Sequence, residues 1–314
     1  MKVSQNYFRS LHGLTILSLL LLLIFSVSCS KSSKNQDANQ KKPVKIGFSI
    51  DSLKDARWQR DRDLFIQQAN VYGGDVIVEI ANGDDSLQAK QIDEMLAQGI
   101  EVLVIVPHNS EVAAKSVEAA KARGIPVISY DRLVRNCDLD LYVSYDAVKV
   151  GELQAQYLLN QTAKGNYVLI GGAPTDNNAA LLHTGNMTVL QPAIDRGDIK
   201  IVYDQPTNDW LASEAQSHAK AALEQAKDDV QAILVSNDNM AGGVAIALAQ
   251  RKLTDKVLVT GEDADLSAIK RIIEGKQTMT VYKPLQPLAK EAAKAAITLA
   301  RKEKVRTKAT ANNG

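Results

Sequence analysis

Cysteine and histidine are scarce in this chain, two and four among 314 residues. Such low numbers exclude a disulfide framework and argue against a His/Cys metal cluster. Aromatic side chains make up 5%, with only two Trp. Neither sign of charge dominates: 37 basic against 36 acidic residues leave +1, which offers no electrostatic footprint for nucleic acid. The short catalytic signatures are missing too. There is no G-x-S-x-G, H-E-x-x-H, G-x-G-x-x-G or G-x-x-x-x-G-K-[ST], so the usual sequence grounds for a hydrolase, a dinucleotide enzyme or a P-loop NTPase are lacking. Carboxylate pairs stay open at this level, because their spacing is set in three dimensions.

Forty-five per cent of the residues are hydrophobic, enough for packed cores, and the length suits about two globular units. The N-terminus is different. Lys2, Arg9 and His12 precede an apolar run from Leu14 to Val27, followed directly by Cys29. A basic start, a short greasy stretch and small residues before the cut have the layout of a secretory signal peptide over 1–28. The run falls short of the roughly 20 residues of a spanning helix; counted from Leu11 it is longer, and an uncleaved anchor is the alternative. Ser26-Val27-Ser28-Cys29 resembles a bacterial lipobox, with Ser28 fitting and Ser26 standing where Leu is usual. Lipid attachment at Cys29 is therefore expected, against an ordinary signal cut with an incidental Cys. The polar stretch 29–42 reads as a flexible tether, and the location as extracytoplasmic, in the periplasm or on the outer face of the cell membrane. The other thiol, Cys137, reads as a half-buried small loop residue.

From Lys45 onward, short β-branched runs alternate with longer amphipathic ones. The strands expected are 45–50, 75–80, 102–106, 127–130, 141–144, 167–170, 200–203, 232–236, 257–260 and 278–282. Helical patterns cover 58–71, 87–97, 111–122, 148–160, 212–225, 240–249, 266–274 and 288–300. Near-continuous apolar strands joined by helices predict parallel sheets covered on both faces, here an α/β protein of two doubly wound lobes.

Ligands of open α/β sheets sit beyond the carboxyl ends of the strands. Those ends carry Asp51, Asn82, His108 with Asn109, Asp131 with Arg132, Asn237 with Asp238, Asp263 and Lys283. Capping of the next helix is the competing role for Asp and Asn at such points, and for Asp51 and Asn82 both roles stand open. Asp131-Arg132 precedes no strong helix, so capping does not explain it. Gly171-Gly172 reads as a tight strand-to-loop turn, and His218 as a solvent-facing helix residue. Trp58 and Trp210 fall on the strand-exit side, one in each half. A rigid apolar plate suits the C–H face of a sugar ring, and carboxylates, amides and guanidinium forks suit hydroxyls that both donate and accept. Two core Trp are the plain alternative.

A series of blocks carries a resemblance: VKIGFSI at 44–50, RWQRDRD at 57–63, SYDRL at 129–133, VGELQAQ at 150–156, GNYVLIGGAPTDNNA at 165–179, SNDNMAGG at 236–243 and GEDADLSAIKRIIEGKQTMTVYKP at 261–284. Over nearly all of 44–314 the chain resembles the D-xylose-binding branch of the periplasmic sugar-binding family, the type I, ribose-binding-like receptors of ABC importers. The resemblance implies that Arg57 hydrogen-bonds the sugar while Trp58 and Trp210 stack on its two faces. It further implies that Asp131, Arg132, Asn178, Asn237, Asp263 and Lys283 complete a polar ring. No catalytic residue, cofactor or metal is implied, and the Ca²⁺ loop of related glucose/galactose-binding proteins has no counterpart. The partners implied are D-xylose or a similar monosaccharide and an ABC permease with its ATPase. A sensor kinase ectodomain is the alternative, with the membrane reached through the lipid anchor and no nucleic acid. Family architecture places lobe crossings near Tyr145, between Glu262 and Asp265, and near Pro284. The N-terminal lobe would then be 43–144 plus 264–283 and the C-terminal lobe 145–263 plus 284–314. Relatives usually continue past Asn312-Asn313-Gly314 with a further strand and tail.

Overall fold

The computed structural model describes residues 42–307; the expected signal segment, the tether and Cys29 lie outside them. Nine strands form two parallel sheets. The first holds β1 (Val44–Ile50), β2 (Gly74–Ile80), β3 (Val102–Val106), β4 (Val127–Tyr130) and β5 (Leu141–Val143) in the order β2-β1-β3-β4-β5. The second holds β6 (Gly165–Gly171), β7 (Ile199–Pro206), β8 (Ala232–Val235) and β9 (Leu258–Val259) in the order β7-β6-β8-β9. Of the tenth strand expected, only a single bridge between Glu262 and Val281 forms.

The helices are α1 (Ala56–Val71), α2 (Asp85–Ala97), α3 (Ala114–Ala122), α4 (Ala147–Gln161), α5 (Asn177–Asp195), α6 (Ala212–Gln225), α7 (Asp238–Gln250), α8 (Leu266–Ile273) and α9 (Leu285–Ala300). All but α5 follow the expected patterns within a few residues. α5 contains Gly185, Pro192 and β-branched Thr184, Thr188 and Val189, which lower helix propensity and blur the apolar period. Tertiary packing restores it. A methyl on Gly185 would lie 2.0 Å from the Val148 carbonyl oxygen, and one on Gly151 would lie 2.1 Å from that of Leu182. The two glycines let α4 and α5 cross backbone to backbone.

In lobe 1, the alternate residues Val44, Ile46, Phe48 and Ile50 of β1 pack against Trp58, Phe65 and Ala69 of α1 and against Leu288, Ala289, Ala292, Ala293 and Ala296 of α9. The opposite face packs on Ile92, Met95 and Val117 of α2 and α3. In lobe 2, Val168, Ile170, Ile233 and Val235 meet α6 and α7, while Leu169 and Leu234 meet Ala155, Leu158 and Leu190 of α4 and α5.

These cores correct the expected lobe boundaries. Segment 264–283 belongs to lobe 2 and helix 285–300 to lobe 1, the reverse of the sequence assignment. The cause is Asp238, buried at the start of α7. Its carboxylate accepts from the Asp265 N–H (2.9 Å), Thr280 Oγ1 (3.0 Å) and Gln277 Nε2 (2.8 Å), which ties the whole 265–280 stretch to lobe 2. The chain crosses near Tyr145 and Pro284, but not between Glu262 and Asp265.

Candidate functional site

Both sheets present their carboxyl ends to one cleft, and the loops leaving those ends supply its walls. A cavity there is lined by Arg57, Trp58, Asp131, Arg132, Asn178, Trp210, Asn237, Asp263 and Lys283. The structure therefore brings together all nine residues that the resemblance implied for the sugar, while Asp51, Asn82, His108, Asn109 and Asp238 do not line this cavity. It adds Asp55, Ser144, Tyr145, Asp176 and Glu262 to the lining.

Arg57 is the hub. Its Nε and Nη2 donate to Asp61 Oδ2 (3.1 and 3.0 Å), Nη2 also donates to Asp131 Oδ2 (2.8 Å), and Nη1 donates to Asp263 Oδ1 (3.2 Å). Four of its five N–H groups are thereby fixed, and one on Nη1 is left. Asp61, four residues on along α1, is itself held by the Tyr130 hydroxyl at 2.6 Å; Tyr130 packs with Phe48 and Phe65 in the lobe 1 core. The orientation of Arg57 is thus set by an aromatic cluster that never touches the cavity.

Asp131 takes a positive φ of 61° directly after β4, a conformation more open to Asp than to most side chains. Its carbonyl accepts from Ser144 Oγ (2.6 Å), Tyr142 OH (3.0 Å) and Asn178 Nδ2 (3.2 Å), the last from lobe 2. Arg132 donates through Nη1 to Asp51 Oδ2 (2.8 Å) and pairs through Nε with Asp176 Oδ2 of lobe 2 (2.8 Å). Asp176 also caps α5 through the Asn178 N–H. A backbone bond from Ser110 N to Thr175 O (2.9 Å) joins the lobes again. The cleft is closed.

Lys283 reaches Glu262 Oε1 (2.8 Å) and Asp263 Oδ1 (3.2 Å). Asn237 caps α7 by accepting from the Met240 N–H, so capping and cavity lining hold together at one residue, with Nδ2 left over. Asp51 and Asn82 turn out otherwise. Asp51 caps nothing and holds Arg132 and His108, while Asn82 sits in a turn outside the cavity. Trp58 lies beneath the Arg57 guanidinium, 4.3 Å from ring centroid to carbon, a cation–π stack. Trp210 is buried, with its Nε1 lacking a hydrogen-bond partner among the described residues. Gly172 does not serve as the expected tight turn; it makes room for the Trp210 ring. His218 is half-buried rather than solvent-facing, its Nδ1 2.8 Å from the Tyr203 hydroxyl. Cys137 is half-buried, and burial pushes its thiol up to about 11.

Acids outnumber bases in this region, and the balance is local. Burial alone would raise the Asp131 carboxyl, but Arg57, Lys283 and Arg132 outweigh it and hold it below the ordinary range. Burial wins at Asp176 despite Arg132, and at Glu262 despite Lys283, raising both. Burial and then the neighbouring Asp263 push Asp55 up to about 6; its Oδ1 is buried without a partner among the described residues. Each of the three cations is paired with carboxylates, so the cavity offers an anionic ligand no unpaired positive charge. What remains around the cavity are donors on Arg57, Arg132, Lys283, Asn237 and Trp210, and two aromatic plates, the complement of a small neutral polyol. Asp55, Asp61, Asp176 and Glu262 escaped the sequence reading. Asp176 and Glu262 do lie beside residues already singled out, and RWQRDRD contains Asp61 at helical spacing from Arg57.

Residues 46–304 match a family profile described as a periplasmic binding protein domain. The chain is 48% identical over 299 residues to a D-xylose-binding periplasmic protein of Haemophilus influenzae, covering 95% of this chain and 89% of that one. It is 44% identical over 286 residues to the protein of that name from Escherichia coli, with 91% and 87% covered. Among solved structures, a carbohydrate transporter solute binding protein of Chloroflexus aurantiacus in complex with D-glucose superposes with a TM-score of 0.81 at 32% identity. That match covers 87% of this chain and 89% of the other.

Proposed function

Since this chain belongs to the periplasmic binding protein family, we propose that it is an extracytoplasmic receptor for a monosaccharide, D-xylose first, which it carries to an ABC importer. The observation that carries the reading is convergence: nine residues from both lobes, read from strand ends and family blocks, line one cavity between the lobes. Trp58 and Trp210 stack on the sugar, and the polar ring takes its hydroxyls. Arg57, Asp131 and Arg132 act from lobe 1, and Asn178, Asn237 and Asp263 from lobe 2. Lys283 acts at the crossing into α9.

Binding needs no covalent step, and the protein is a receptor rather than an enzyme. A sugar that contacts both lobes binds the closed form better than the open one, and that difference in affinity drives closure. Import is favoured over presentation to a sensor kinase because relatives of at least 30% identity include transporter solute-binding proteins. Cys29 is the proposed point of lipid attachment; among the described residues no helix is long and apolar enough to cross a membrane.

Calorimetric titration of the full chain, in a detergent without a sugar headgroup, with D-xylose, ribose, arabinose and glucose tests the reading. One-to-one binding with xylose strongest, lost in Trp210→Ala, is expected. A folded protein that gives no heat with any of the four would overturn it.

A further inference from the structure

Trp210 sits on a strained turn. Asp209 and Trp210 both take positive φ, 49° and 58°, a left-handed conformation that is unfavourable for non-glycine residues. Lobe 2 holds the turn from outside: Glu214 accepts from the Asn208 N–H and side-chain amide, and Asn239 Nδ2 donates to the Trp210 carbonyl. From lobe 1, one side chain faces it. His108 Nε2 stands 3.8 Å from Asp209 Oδ1.

The ring of His108 is fixed from behind. Its Nδ1 is 2.9 Å from Asp51 Oδ1, and its backbone N–H donates to Gln88 Oε1. Asp51 is a carboxylate held below the ordinary range against its burial, first by the His108 hydrogen bond and then by the Arg132 charge, so it can only accept; Nδ1 must therefore carry a proton. Nε2 then has two states of opposite sense. In the neutral ring it is an acceptor turned toward the Asp209 carboxylate, which repels it. In the imidazolium it is a donor, which attracts.

We propose that His108 is a positioning residue of the sugar site, whose imidazolium forms an ion pair with Asp209 across the closed cleft and steadies the turn that carries Trp210. Five side chains then form one chain of alternating charge that crosses the cleft twice: Asp209, His108, Asp51, Arg132 and Asp176. The charged groups facing His108 are Asp51 from the loop after β1, Asp85 from the start of α2 and Asp209 from lobe 2, with Arg132 behind Asp51. All three carboxylates favour the cation, and its ordinary range is raised, first by the Asp51 hydrogen bond. Opening of the lobes removes Asp209 alone, so closure and proton uptake on His108 reinforce one another.

The effect of this pair on affinity rests on the receptor reading, and the pair itself does not. Two measurements on the full chain separate them. The His108 titration read by NMR, without sugar and again at saturating D-xylose, is expected to move down in Asp209→Asn to the extent that the lobes are closed; a titration unmoved in both overturns the pairing. In stopped-flow release of D-xylose, the rate is expected to rise roughly threefold to fivefold from pH 6 to pH 8.5, the scale of one lost exposed ion pair. That rise should vanish in His108→Gln and in Asp209→Asn, and the double variant should match either single one. Equal pH profiles in all four proteins overturn the proposal. Absence of xylose binding at pH 6 would instead sink the receptor reading, leaving the NMR result to decide the pairing.

Discussion

A methyl group on Gly172 would lie 2.2 Å from the edge of the Trp210 ring. Glycine is present there to admit the indole, and its φ is not in the left-handed region. Gly172→Ala is therefore expected to push Trp210 from its place, at about 1–3 kcal/mol of overpacking. Sugar affinity should fall at least about tenfold, or 1.4 kcal/mol, while the far-UV spectrum stays unchanged. Unaltered affinity by titration would show that the ring can shift freely.

Asp176 divides its two oxygens between the lobes, one capping α5 and one pairing with Arg132. Asp176→Asn keeps an oxygen for the cap and removes the charge from the pair. A hydrogen bond to a charged group is worth about 1.5–3 kcal/mol, so affinity should drop roughly tenfold to a hundredfold. Small-angle scattering at saturating sugar should still show the closed form, and without sugar a larger open fraction than in the parent protein.

Asp55 predicts a pH signature in stability. Its folded value of about 6 stands above the ordinary 3.8, so the folded state holds the proton more tightly than the unfolded chain. Its contribution is fully present below pH 3.8 and is lost as pH rises toward 6 and beyond. At neutral pH the buried carboxylate costs on the order of 3 kcal/mol. Asp55→Asn should raise Tm at pH 7.5 and leave it nearly unchanged at pH 4, so the gap between variant and parent should grow with pH. A gap independent of pH would sink the assignment.

At the α4–α5 crossing, Gly185→Ala puts a methyl where the Val148 carbonyl stands. The helices must part, with a loss of about 1–3 kcal/mol or more. Tm should fall by several degrees, at roughly 2–4 °C per kcal/mol, with the sugar affinity of the folded protein little changed. Thermal melts and titrations on one preparation check both halves.

The cavity was legible because it obeys a topological rule. Asp131, Asn237 and Asp263 come one, two and four residues after the ends of β4, β8 and β9, and a parallel sheet places such residues around one opening. Asp61 was not legible: an acid four residues after Arg57 on an amphipathic helix looks like a surface pair until Tyr130 is known to cover it. Nor does a helical period say which sheet a helix covers. The small apolar face of α9, with Ala289, Ala292, Ala293 and Ala296, would suit either lobe, and only packing against Val44, Ile46 and Phe48 decides. The left-handed turn at Asp209-Trp210 has no signature either, since no glycine marks it.

The placement of α9 bears on how the protein reaches its native state. The helix that completes the core of lobe 1 lies near the far end of the described chain from β1, whose Ile46 and Phe48 it covers. Lobe 2 is built wholly from intervening segments. A chain made or exported from its N-terminus presents the first five strands long before their last helix arrives, so lobe 2 can finish while lobe 1 still exposes one apolar face. Contacts this distant in sequence slow folding and prolong exposure to aggregation. The order of maturation is therefore the reverse of the order of synthesis: the half of the molecule that emerges first is the last to become whole.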